Sequence, residues 1–103
     1  MDNSWNYRNI PIVRNEHNHI KEKFGLAVRH LRLQRNLTQE ELAHRALLHR
    51  TYLTDIERGT RNPSIEVVDK LANGLGIKLS ELFRRVETVR PSPKAVSKRR
   101  RVS

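Results

Sequence analysis

Between residues 20 and 34 the apolar side chains Phe24, Val28 and Leu31 recur at spacings of four and three, the interval at which one face of a helix meets a core. Helix one is therefore expected over 20–34. Leu37 leads into Thr38, whose hydroxyl can cap a new helix while Glu41, three residues on, reaches back to the Thr38 amide. Helix two is expected over 39–46 with Leu42 and Ala43 inward, and the small side chain of Ala43 suits a tight crossing with the next helix. Helix three follows over 50–58. Gly59 ends it, because glycine readily takes the left-handed conformation of a C-terminal cap, and Asn62 and Pro63 continue the loop. Ser64 opens helix four, in which Ile65, Val68, Leu71, Ala72 and Leu75 have helical spacing and which Gly74 and Gly76 close. Ser80 then caps a short last helix holding Leu82 and Phe83. The pattern predicts an all-α chain of five helices with no strand.

Helices two and three, joined by a turn of about three residues with Ala43 near their crossing, describe a helix-turn-helix over about 39–58. Helix three can bury Leu53 and Ile56 while turning Arg50, Thr51, Thr54 and Asp55 outward, and a protruding polar helix fits the major groove of DNA. Arg50 and Thr51 stand at the end that would enter the groove.

Charge agrees with that reading and also limits it. The 103-residue chain carries 21 Lys+Arg against 11 Asp+Glu, a net charge of +10, which favours a polyanionic partner. Eight of those basic residues, with a single acidic one, fall in residues 84–103, so the excess says less about the helical part. The length fits one small domain, and with no cysteine its stability must come from aliphatic packing. Three segments are expected: an N-terminal extension over 1–19, a DNA-binding domain over 20–86, and a tail over 87–103. The tail carries two prolines, scattered serines and dense positive charge, a composition that leaves a chain disordered. The first stretch is polar and does not read as a signal peptide, and no apolar run reaches membrane-spanning length. A cytoplasmic, nucleoid-associated protein without membrane contact is expected.

The stretches FGLAVRHLRLQRNLTQEELAHRA, RTYLTDIERGTRNPSIEVVDKLANGLGI and KLSELF resemble the Xre-like helix-turn-helix family, the class of lambdoid phage repressors and Cro, over residues 24–83 in nearly continuous register. RTYLTDIERGTRNPS is similar to the controller proteins of restriction-modification systems. The resemblance implies a lambda-repressor-like fold of five helices, with helix five and its surroundings making a homodimer contact. It implies that Gln39 contacts a phosphate or flanking base from the start of helix two, that Arg50, Thr51 and Asp55 face base edges, and that Tyr52, Arg61 and Asn62 meet the DNA backbone. It further implies a buried ion pair of Arg32 with Glu57, tying helix one to the end of helix three. Two positions depart from the family pattern. Leu47 stands where the turn usually has glycine, and His49 where Ser or Thr usually caps helix three. A left-handed conformation at Leu47 would cost roughly 1–2 kcal/mol, a reason for the turn to be reshaped.

Other residues carry less. His17 and His19, like His44 and His49, lack the Cys or carboxylate partners at fixed spacing that a metal site needs. No metal or cofactor is expected. Trp5, Tyr7, Ile10, Ile12 and Val13 form an apolar segment outside the resemblance that either docks on helices one and five or extends to a partner subunit. The terminal KRRR is either a phosphate-binding arm or an idle solvated tail, rather than a nuclear signal. With no nucleophile-base pair, acidic metal cluster or glycine-rich phosphate loop, there are no catalytic residues to name and an enzyme is not expected. The leading expectation is a homodimeric transcriptional regulator, a repressor or activator, on a palindromic operator in double-stranded DNA. The alternative is an antitoxin-type autorepressor that also binds a partner toxin, a role usually served by a longer amphipathic tail.

Overall fold

The computed structural model describes residues 19–90. Among these the elements are α1 (Ile20–Gln34), α2 (Gln39–Ala46), α3 (Arg50–Arg58), α4 (Ile65–Leu75) and α5 (Leu79–Thr88), the all-α, five-helix fold that the spacing predicts. The apolar leader, His17 and the basic segment beyond Arg90 lie outside the described residues.

Local chemistry sets the helix ends. The Glu41 N–H donates to Thr38 Oγ1 at 3.0 Å and the Thr38 N–H to Glu41 Oε1 at 2.8 Å, so two amides at the start of α2 are satisfied reciprocally. Ser64 Oγ accepts from the Val67 N–H at 3.2 Å to start α4. Four helices end by one device. A left-handed residue, Asn36, Leu47, Gly59 or Gly76, turns the chain so that the next N–H reaches back to a carbonyl in the last turn: Leu37 to Arg32, Leu48 to Ala43, Thr60 to Asp55, and Ile77 to Ala72.

Three expectations need correction. Gly74 lies inside α4 rather than closing it: a Cβ there would stand 3.1 Å from Leu42 Cδ1 and 3.2 Å from the Ala46 Cβ, so the glycine lets α4 press against α2. Gly76 alone forms the cap. Ser80 does not cap α5 but sits in its first turn, since the helix starts at Leu79 with Lys78 as the extended cap residue, and the Lys78 N–H donates to Glu81 Oε1 at 3.4 Å. The last helix is not short. It has 10 residues, and Val89 beyond it is buried with Val86, so packed structure continues past the boundary expected at residue 86.

The core is one aliphatic cluster in which Val28, Leu42, Leu53, Ile56, Leu71 and Leu82 are fully enclosed. α1 packs against α3 and α5, and α2 against α3 and α4. Gly25 makes the α1–α3 crossing possible, because a Cβ there would lie 2.7 Å from the Glu57 carbonyl oxygen and closer still to that of Ile56. Arg35 ties α1 to α4 by donating Nε to the Leu75 carbonyl at 2.7 Å, which satisfies a carbonyl at the end of α4.

Candidate nucleic-acid interface

α3 is a nine-residue helix whose inner face is Leu53, Ile56 and Glu57. With those positions fixed inward, Arg50 and Thr51 stand exposed in the first turn, and Tyr52, Thr54 and Asp55 are half-buried along the flanks. The Arg50 side chain makes no hydrogen bond or ion pair among the described residues. Its guanidinium fork stands at the end of the helix where the backbone dipole is positive.

The turn before α3 is not reshaped at Leu47. That residue adopts φ 58° and ψ 45°, the left-handed conformation usually left to glycine, with its side chain 77% exposed. His49 precedes α3 in extended conformation and gives no side-chain cap bond, so the first amides of α3 lack the acceptor that Ser or Thr would supply.

Arg32 in α1 and Glu57 in α3 form a two-pronged ion pair: Nε donates to Oε2 at 2.7 Å and the terminal Nη2 to Oε1 at 3.0 Å. The remaining prong, Nη1, donates to the Leu37 carbonyl at 2.8 Å. Both side chains are buried, 8% and 3% exposed, and no buried side-chain nitrogen or oxygen among the described residues lacks a partner. The network continues outward. Gln39 Nε2 donates to Glu57 Oε1 at 3.0 Å, and Gln39 Oε1 accepts from the Thr54 hydroxyl at 2.9 Å. Thr54, expected to point outward, turns toward α2 instead.

A second cluster joins the α3–α4 loop to α3. The Arg61 guanidinium lies 4.6 Å from the centroid of the Tyr52 ring, and its Nη2 reaches Asp55 Oδ2 at 3.4 Å. Tyr52 and Asp55 are three residues apart, one turn on the same flank, so a single loop arginine spans both. Asn62 is exposed in that loop. The structure thus gathers Arg50, Thr51, Asp55, Tyr52 and Arg61 along α3, sets Asn62 beside them in sequence, and engages both ends of the Gln39 amide internally. The sequence reading missed the Gln39–Thr54 bond and the Asp55–Arg61 pair. The i, i+3 spacing of Thr54 and Glu57 puts both on one flank of α3, but that this flank meets Gln39 depends on how α2 packs against α3.

His44 and His49 are both exposed, and among the described residues no group of three or more His, Cys, Asp or Glu gathers to hold a metal ion. No helix among them is long and apolar enough to cross a membrane.

A family model described as helix-turn-helix matches residues 28–82. The control protein C.BamHI of Bacillus amyloliquefaciens is 47% identical over 67 residues, 64% of this chain and 83% of that protein. The immunity repressor protein of Bacillus phage phi105 is 43% identical over 58 residues, 56% of this chain and 40% of that protein. Among solved structures, the restriction-modification controller protein C.AhdI from Aeromonas hydrophila superposes with a TM-score of 0.60 at 44% identity, over 61% of this chain and 96% of that one.

Proposed function

The chain belongs to the Xre-like helix-turn-helix family of DNA-binding regulators, and from that membership we propose that it is a homodimeric, controller-type transcription factor that reads a palindromic operator with α3. The observation that carries the proposal is the exposed first turn of α3, where the side chains of Arg50 and Thr51 have no partner among the described residues, on a helix held by its opposite face. An arginine fork there matches the O6 and N7 acceptors of guanine in the major groove. Thr51 and Asp55 read neighbouring base edges. Tyr52, Arg61 and Asn62 meet phosphates, which fixes register without carrying sequence information. Gln39 keeps one amide hydrogen for a phosphate or a flanking base.

The dimer contact is assigned to α5 and its surroundings. A groove of about 350 Å³ lies there, lined by residues of α1, α4 and α5 that include Ile65, Val68, Phe83 and Val86, and at its edge by Asn62 and Pro63 of the α3–α4 loop, but by none of α3. Ile65 is 65% and Phe83 40% exposed, so two copies meeting there would cover apolar surface and leave both reading helices free.

The test is selection of DNA fragments by the purified protein. The expected result is an inverted repeat whose half-site centres lie about one helical turn apart, the geometry of a two-fold dimer of this motif class. Enrichment of a single half-site would remove the dimer from the proposal, and no enrichment at all would remove the sequence-specific reading.

A further inference from the structure

We propose that Thr54 is a positioning residue for operator recognition, acting through Gln39: its hydroxyl and the Glu57 carboxylate together hold the Gln39 amide in one orientation. The inference rests on the DNA-reading role proposed above and adds to it a residue that does not touch DNA.

Gln39 is the first residue of α2 and its side chain spans to α3, with partners 15 and 18 residues away in sequence. An amide can be turned either way round, and here the neighbours decide which. Glu57 only accepts, and Arg32 already supplies two of its donors, so the Gln39 edge facing it must be the nitrogen. The Gln39 oxygen is thereby aimed at Thr54, whose hydroxyl meets it at 2.9 Å. Turned over, the amide would set its carbonyl against a carboxylate oxygen. Glu57 therefore fixes which way round the amide lies, and Thr54 fixes where its other end rests.

The consequence lies in what remains. With one Nε2 hydrogen committed to Glu57, Gln39 keeps one N–H and one oxygen lone pair on a half-buried side chain. Held at both ends, that N–H has a single direction. Held at one end, the amide swings, and ordering it upon DNA costs affinity. The Thr54 hydroxyl also lies 3.0 Å from the Arg50 carbonyl, but a hydroxyl has one proton to give. Donation to Gln39 therefore competes with back-bonding to the Arg50 carbonyl for that one proton, which is why the test follows the base position that Gln39 reads as well as total affinity.

The experiment compares wild type with Thr54→Val, Thr54→Ser and Thr54→Ala on the selected operator and on variants mutated base by base, with a urea unfolding curve for each protein. Thr54→Val keeps the shape and removes the proton. It is expected to weaken operator binding about 3- to 10-fold, the worth of one hydrogen bond, with preference relaxed at the position that Gln39→Ala also relaxes. Thr54→Ser is expected to restore both, and Thr54→Ala to behave as Thr54→Val should the latter unfold. In the Thr54→Val background Gln39→Ala should cost little more. Additive effects of the two substitutions, or unaltered base preference in folded Thr54→Val, would overturn the proposal. A second arm uses no DNA: the two side-chain amide protons of Gln39, followed by NMR, should be distinct from those of a solvent-exposed glutamine in wild type and in Thr54→Ser, and should average toward them in Thr54→Val. If no DNA sequence is selected by wild type, the functional reading fails, while this arm still decides whether Thr54 holds the amide. Unchanged amide signals in Thr54→Val would refute it.

Discussion

Glu57→Gln is nearly isosteric, yet it should be among the most damaging single substitutions in the domain. Every neighbour of the Glu57 carboxylate is a donor: Arg32 Nε at 2.7 Å, Arg32 Nη2 at 3.0 Å and Gln39 Nε2 at 3.0 Å. Glutamine replaces one acceptor oxygen by an NH2 group, so whichever way it turns a donor faces donors. The Arg32 charge, on a side chain 8% exposed, is left without its counter-ion. Breaking a buried pair from one side costs about 3–5 kcal/mol, a large part of the roughly 5–15 kcal/mol that holds a domain together. At about 4–8 °C per kcal/mol for a domain of this size, the melting temperature should fall on the order of 20 °C. Urea unfolding followed by circular dichroism measures the change directly. A loss below about 1 kcal/mol, the range of exposed pairs, would show that water reaches this pair and that it does not fix α3 against α1. The companion double variant, Arg32→Met with Glu57→Leu, separates charge from shape: with both charges gone it should cost less than Glu57→Gln alone.

Arg50→Ala should weaken binding to the selected operator by about 1–3 kcal/mol and relax preference at one base pair per half-site; equal loss on operator and random DNA would make Arg50 a phosphate contact instead. Leu47→Gly should stabilise the fold by about 0.5–1 kcal/mol, because relief of the left-handed strain exceeds the entropy cost of glycine and a side chain 77% exposed forfeits little packing; a lower urea midpoint would contradict this. Deleting residues 91–103, which hold Lys94, Lys98, Arg99, Arg100 and Arg101, should leave the urea midpoint unchanged and flatten the slope of log affinity against log salt by about 0.9 for each phosphate no longer neutralised; an unchanged slope would make the segment idle toward DNA. The cut belongs after Arg90, because Val89 is buried in the core.

The first three helices were legible because each carries a local signal: the spacing of Phe24, Val28 and Leu31 in α1, the Thr38–Glu41 box that opens α2, and the Gly59 that closes α3. Gly74 misled for a physical reason. Glycine before a loop usually signals a left-handed cap, whereas here it answers a close approach by Leu42 and Ala46, far upstream in the chain and invisible to a local reading. Ser80 misled likewise, since Glu81 satisfies the Lys78 amide and a serine cap is not needed. The end of α5 was written in the spacing of Leu82, Val86 and Val89, but the prolines at 91 and 93 drew the expected boundary inward. At the candidate site, the exposure of Arg50 and Thr51 could be foreseen because it follows from the buried positions of the same helix. The partners of Gln39 could not, because they depend on how α2 sits across α3.

Orientation of α3 is the quantity on which these observations converge. Leu53 and Ile56 bind it to the core but would tolerate some rotation, since apolar contact is not directional. Direction comes from the polar ties: Glu57 to Arg32 fixes the C-terminal end against α1, and Thr54 to Gln39 fixes the middle against α2. Hydrogen bonds at two levels along one helix leave little freedom to roll, and reading base edges needs side chains held within about half an ångström. The strained Leu47 fits the same logic, because its left-handed turn redirects the chain from α2 into α3, and its cost is offset by the packing and ion pair that follow. Substitutions along this network should therefore alter stability and base preference together, while those at Arg50 should alter operator binding and base preference without altering stability.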